Sequence, residues 1–197
     1  MIAGLYDIFA HWHKQGTCWL ISDTHFNDEE LYIGTKKVER ADADDYVKLI
    51  NSKVGRKDTL IHLGDVGDLE VMKKVRGYKV LIMGNHDTGA TKYKEVFDEV
   101  YTGPVQIGEK LILSHEPLEC GWAFNIHGHI HSFTHRDDVR HMCICPEVTR
   151  QFEPINFNQL MKSGFMSKIE TQHRKTINSA TKRARKRGKK YGQKVKS

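Results

Sequence analysis

The sequence has no apolar run long enough to cross a bilayer. Its first residues, MIAGLYDIFAHWHK, lack the basic start, long apolar stretch and small-residue cleavage site of a secretory signal. The expected setting is therefore the cytoplasm, with no membrane span. Cysteine is scarce, and the four present (Cys18, Cys120, Cys143 and Cys145) fit that compartment as free thiols. A four-thiolate metal site would need a second cysteine pair beside Cys143 and Cys145, and none exists. HMCICPE reads instead as a strand with both sulfurs on one face, packed as small apolar groups.

Acid is almost missing from one region. Residues 168–197 hold twelve of the 31 Lys and Arg and, from 25 acids, only Glu170. Residues 1–167 keep the other nineteen bases against twenty-four acids, so the net charge of +6 hides an acidic body and a basic tail. The composition changes at Gly164, which divides the chain into a domain over 1–164 and a tail over 165–197, helical or disordered. KRARKRGKK is a like-charge block. It could serve only to keep the protein soluble, or bind an acidic membrane surface, or act as a nuclear localisation signal. The reading preferred here is a nonspecific nucleic-acid tether acting through counterion release.

Within the body one arrangement recurs. CWLIS runs into Asp23-Thr24-His25, TLIHL into Gly64-Asp65, and KVLIM into Gly84-Asn85-His86-Asp87. KLILS runs into His115, and AFNI into His127-Gly128-His129-Ile130-His131. Short runs of this kind, bounded by glycine, predict buried strands, and polar residues just past strand ends converge at one sheet edge in α/β folds. ADADDYVKLINSKV predicts a helix burying Tyr46, Val47, Ile50 and Val54; DLEVMKKV and TKYKEVFDEV predict two more. NFNQLMKSG predicts a short helix with Asn156 as its cap and Gly164 as its stop.

The residues at the strand ends are oxygen and nitrogen donors suited to Mn, Fe or Zn. Asp23 and His25 would share one side of an extended segment, and His129 and His131 would do the same from the opposite wall. Asp65 can bridge two ions. Asn85 offers a neutral oxygen that adds no charge to repel a phosphate. The same alternation would admit His127. His62 reads as a packed strand residue. Singly, each of these donors is more often a cap, a turn residue or a satisfied core histidine; their number and order argue otherwise.

These blocks in order, Asp23-x-His25, Gly64-Asp65, Gly84-Asn85-His86-Asp87, His115 and Gly128-His129-x-His131, resemble the calcineurin-like metallophosphoesterases over residues 17 to about 160. The nearest type is the small single-domain bacterial and phage one. The resemblance implies a four-layer α/β/β/α sandwich of that family's type, an α/β fold, followed here by the basic tail. It implies two divalent ions, Mn first with Fe, Zn or Ni as alternatives. One would be held by Asp23, His25, Asp65 and His131, the other by Asp65, Asn85, His115 and His129. A hydroxide between the ions would attack the phosphorus of a phosphate ester, a diester by preference. His86 would serve the leaving oxygen as a catalytic residue, with Asp87 orienting it. The Gly-His-x-His pattern selects His129 and His131 and leaves His127 outside. Lys92 and Arg136 lie just downstream of the metal-binding blocks and could touch phosphate, though position is all that points to them. The alternative is a catalytically silent scaffold or nucleic-acid-binding protein whose metals only stabilise the fold, but such relatives are expected to lose a ligand and this chain has lost none.

Overall fold

Alternation along the strands decides the layers. In TLIHL, Ile61 and Leu63 point to one side of the sheet and Leu60 to the other, and each enters a different core. In a computed structural model, the protein is described over residues 16–28, 32–33, 36–37, 42–132, 140–170 and 172–194. His11, His13, His135 and Arg136 lie outside the described residues. The chain runs β1 (Cys18–Ile21), β2 (Tyr32–Ile33), β3 (Lys36–Lys37), α1 (Ala43–Lys53), β4 (Thr59–His62), α2 (Leu69–Lys73) and β5 (Tyr78–Ile82). It continues through α3 (Ala90–Tyr93), β6 (Glu99–Tyr101), β7 (Val105–Ile107), β8 (Leu111–Leu113), β9 (Phe124–His127) and β10 (His141–Cys143). It ends with α4 (Pro146–Thr149), β11 (Ile155–Asn156), α5 (Phe157–Lys162) and α6 (Gln172–Lys194).

Two sheets face one another. The first has the order β11-β1-β4-β5-β6, parallel except for β11; the second has the order β10-β9-β8-β7, parallel except for β7. Leu20, Ile61, Val80 and Ile82 from the first meet Leu111, Leu113, Phe124 and Ile126 from the second. Each such apolar side chain, fully buried, contributes about 1.5–3 kcal/mol. On the outer face of the first sheet, Leu60 and Leu81 pack under α1 and α2 with Tyr46, Ile50, Val71 and Met72. The fold is the α/β sandwich expected of the metallophosphoesterases. Among the described residues no helix is long and apolar enough to cross a membrane.

The buried face of α1 and the cap and stop of α5 are as expected. Asp42 caps α1 by accepting from the amides of Asp44 and Asp45, and Tyr46, Val47, Ile50 and Val54 are buried. Asn156 caps α5 by accepting from the Gln159 amide at 3.0 Å, and Gly164 takes a left-handed φ of 75° beyond it. The helix expected over TKYKEVFDEV is reduced to the single turn α3, because Glu99–Tyr101 joins the first sheet beside β5. The strand pairing outweighs weak helical periodicity there.

Candidate metal centre

The five strand-end blocks meet at one edge. β1, β4 and β5 run parallel in one sheet, β8 and β9 in the other, so the loops that follow them converge. Backbone bonds tie these loops together before any side chain acts. The Asp23 amide donates to Gly64 O at 3.0 Å and the His25 amide to Asp65 O at 3.1 Å. The His129 amide donates to both Asp23 oxygens, at 3.0 and 3.1 Å, which links the two sheets through a carboxylate. At Gly128 a side chain would collide with Ser22 Oγ and the Asp23 carboxylate, so only glycine permits that approach.

The expectation that Asp23 and His25 lie along an extended segment is corrected by the dihedrals. Asp23, His25, Asp65 and His129 take left-handed φ of 52°, 41°, 57° and 68°. Asp and His tolerate this region better than most residues, at a cost of order 1–3 kcal/mol each. The side chains therefore meet because successive residues turn, not because alternate residues share a face.

The donor atoms gather around Asp65. Its Oδ2 lies 3.6 Å from His25 Nε2 and 3.2 Å from His115 Nε2. Asn85 Oδ1 is 2.8 Å from His115 Nε2 and 3.0 Å from His129 Nδ1, and the two imidazole nitrogens are 3.1 Å apart. His131 Nε2 stands 3.3 Å from Asp23 Oδ1. Among the described residues, three donor groups that could hold an ion result: Asp23 with His25 and Asp65; Asp65 with His115 and His129; and Asp23 with His131 and Cys145.

The proton inventory favours a cation here. His115 Nδ1 lies 2.8 Å from Leu63 O, His25 Nδ1 2.9 Å from Asp28 Oδ2, and His131 Nδ1 2.9 Å from Glu147 Oε2. Each acceptor holds the ring proton on Nδ1 and turns the Nε2 lone pair inward. His115 Nε2 then faces acceptor atoms, and buried His25 Nε2 has no hydrogen-bond partner. A divalent ion would satisfy both. The charges agree. Burial alone would raise the Asp65 pKa, yet the His115 bond and charge bring it down to about 2. Burial alone would lower that of His131, yet Asp23 and Glu147 push it up to about 9. His115 is raised in the same way against its burial, chiefly by Asp65. Carboxylates that raise proton affinity this way raise affinity for any cation placed there.

His86 is exposed at the rim, its ring centroid 5.4 Å from that of His25 and its amide donating to Asp65 Oδ1 at 3.0 Å. Asp87 does not take the expected place beside His86. Its oxygens accept from the amides of Asp65, Gly84 and Val66 at 2.8, 2.8 and 3.1 Å, so it clamps the Asp65 turn to its own loop. The peptide geometry of two glycine-bounded turns decides this, and no residue spacing announces it. His127 is fully buried, its Nδ1 2.9 Å from Gly128 O, and lies outside the three donor groups. His62 is buried against the Thr24 hydroxyl at 2.9 Å. Lys92 lies over the Tyr93 ring, 5.1 Å from its centroid.

Two supporting residues escaped the sequence analysis. Asp28 had a signal, since it stands three positions after His25. Glu147 had none, because it arrives through the pairing of β10 with β9. Cys145 had the signal of a Cys-x-Cys pair but was read as a packed apolar sulfur.

A family model described as calcineurin-like phosphoesterase matches residues 16–145. No curated protein sequence matches the chain. A solved protein of unknown function from Aquifex aeolicus is similar at 24% identity and a TM-score of 0.57, over 74% of this chain and 98% of that one. The nuclease MPE of Pseudomonas putida is similar at 22% identity and a TM-score of 0.43, over 58% of this chain and 61% of that one. The phosphoesterase Yfce of E. coli is similar at 16% identity and a TM-score of 0.38, over 66% and 79% respectively.

Proposed function

From the premise that this chain belongs to the calcineurin-like phosphoesterase family, we propose that it hydrolyses phosphate esters, diesters by preference, at a site for two divalent ions. The first ion would be held by Asp23, His25, Asp65 and His131, the second by Asp65, Asn85, His115 and His129. The observation that carries this reading is the Asp65 carboxylate, whose Oδ2 stands between His25 Nε2 and His115 Nε2 at 3.6 and 3.2 Å. Paired divalent ions lower the pKa of water and clamp the attacking and leaving oxygens of an in-line displacement.

The chain's own residues do the rest. Asn85 adds an oxygen without charge, which keeps the site cationic toward a phosphate. His86, exposed beside the cluster, is placed to protonate or stabilise the leaving oxygen. Asp87 is a positioning residue for Asp65, through the amides it holds. The exposure of Asn85 and His86 supports an open approach, suited to a diester. Mn is the ion proposed first, from the mixed carboxylate and imidazole donors, with Fe, Zn and Ni as alternatives. The basic helix α6 is proposed to hold nucleic acid without reading sequence.

The test is hydrolysis of bis-p-nitrophenyl phosphate and p-nitrophenyl phosphate with Mn²⁺, beside an Asp65→Ala control. Turnover that disappears in the control, larger for the diester, is expected. Two bound ions with no turnover under Mn²⁺, Fe²⁺, Zn²⁺ or Ni²⁺ would instead assign the protein to the silent binding class. Affinity for DNA and RNA that does not change on removing residues 168–197 would overturn the tether.

A further inference from the structure

Cys145 carries a sulfur into the donor cluster. Its side chain is fully buried and its Sγ lies 3.1 Å from Asp23 Oδ2. With Asp23 and His131 it forms a group whose donor atoms all lie within 4.8 Å of one another. The thiol is delivered by the strand pairing: Cys143 sits in register with His127, so the residues after β10 run beside the Gly128–His131 loop. Its neighbour is spent differently, with Cys143 Sγ 3.4 Å from the backbone oxygen of Ile130.

A second observation points to the same place. The His25 side chain is 1% exposed, its Nε2 has no hydrogen-bond partner, and it belongs to a donor group that also contains Asp23. Asp23 is thus common to the thiol group and to the group with the orphaned nitrogen. An ion drawn there by His25 would meet oxygen, imidazole nitrogen and sulfur.

We propose that Cys145 is a ligand of the first ion, adding a thiolate to Asp23, His25, Asp65 and His131. This rests on the dinuclear reading above. As the metal–sulfur bond forms, the S–H bond breaks and its proton leaves to solvent, so binding releases one proton more than the imidazoles and carboxylates account for. The two positions then differ in kind. The second ion has only oxygen and nitrogen around it, while the first has a soft donor of the sort that favours Zn or Fe over Mn. The first position is therefore expected to favour a softer ion than the second, where Mn²⁺ stays the first choice.

The experiment loads the full-length protein with Co²⁺ and reads its absorption. A near-ultraviolet thiolate-to-cobalt charge-transfer band is expected in the wild type and in Cys143→Ser, and its loss in Cys145→Ser. Zn²⁺ affinity at one site should fall in Cys145→Ser by about tenfold or more, while Mn²⁺ affinity changes less. Zinc-edge X-ray absorption on the wild type needs no variant, and should show a sulfur neighbour at about 2.3 Å. Two bound ions without a sulfur neighbour, or a charge-transfer band that survives in Cys145→Ser, would overturn the proposal and leave Cys145 as a hydrogen-bond donor to Asp23. Failure of the wild type to bind two ions would overturn the dinuclear reading as well, and so is told apart from failure of the thiolate alone.

Discussion

The sheet edge and the C-terminal helix are both built from charged residues, yet they use charge in opposite ways. At the edge each charged group has a fixed partner: Asp23 is held by the His129 amide, Asp65 stands against His115, and His131 is backed by Glu147. On α6, Thr181 to Lys186 are all exposed, and the four cations among them form a run of one sign in water. The first arrangement costs desolvation, offset only when geometry is right, so each position matters by itself. The second stays in water, where single charges are worth little and act as a sum.

The sharpest way to test that contrast is to remove the group that both proposed ions share. Asp65→Ala should lower phosphodiesterase turnover by roughly three orders of magnitude, about 4 kcal/mol of transition-state stabilisation. Steady-state kinetics with Mn²⁺ in excess measures it, and turnover within tenfold of wild type would break the claim that positions at the edge act individually.

Glu147→Ala probes one layer further out. Without Glu147 the His131 ring loses the acceptor that turns Nε2 inward, and metal affinity should fall by about 10–100-fold. Calorimetric titration with Mn²⁺ reads this directly. An unchanged affinity would show that the orienting bonds are dispensable and that the ligands alone define the site.

Protons sharpen the comparison from another side. The folded-state pKa of His131 is about 9 against an ordinary 6.5, so its protonated form stabilises the chelated protein below pH 6.5. That contribution is lost as pH rises through about 9. The sign is opposite for Asp65, with a pKa of about 2 against 3.8: its contribution is present above pH 3.8 and disappears as pH falls through 2. The melting temperature of chelator-treated protein should therefore decline between pH 6.5 and 9. Added Mn²⁺ should restore more in the upper part of that window, since the metal needs the nitrogen that the proton occupies. A flat profile over that range in chelator would contradict the electrostatic picture of the edge.

The smallest effect belongs to the helix. For the proposed tether, Arg185→Ala should weaken DNA binding only a few-fold, equally for all sequences, and reduce the slope of log affinity against log salt by about one. Fluorescence anisotropy across a salt series checks this. A loss as severe at Arg185 as at Asp65 would erase the distinction between the two regions.

How far the chain could be read follows the same division. Strands β1, β4, β5, β8 and β9 were legible because a buried strand is a short apolar run bounded by turn residues, and each of the five expected runs forms one. The ligand-type residues after them, from Asp23 to His131, were legible because loops after parallel strands must share an edge. The cap at Asn156 and the buried face of α1 are local, and so were legible in composition and period. TKYKEVFDEV was misjudged because its last residues pair with β5, and that pairing is not announced by the segment's own period.

What only the tertiary structure decided concerns partners and handedness. Asp87 was expected on His86 and instead holds the amides of Asp65, Val66 and Gly84, a choice set by how two turns stack. The left-handed dihedrals of Asp23, His25, Asp65 and His129 are imposed by backbone bonds between loops that are distant in sequence. Cys145 looked like one of two equivalent apolar sulfurs; the register of β10 on β9 brings it to Asp23 and leaves Cys143 on backbone oxygens. Sequence by itself determined which residue types would stand at the ends of the strands, because burial and period act over a few residues. The fold determined which atom each would face, because that depends on the packing of segments a hundred residues apart.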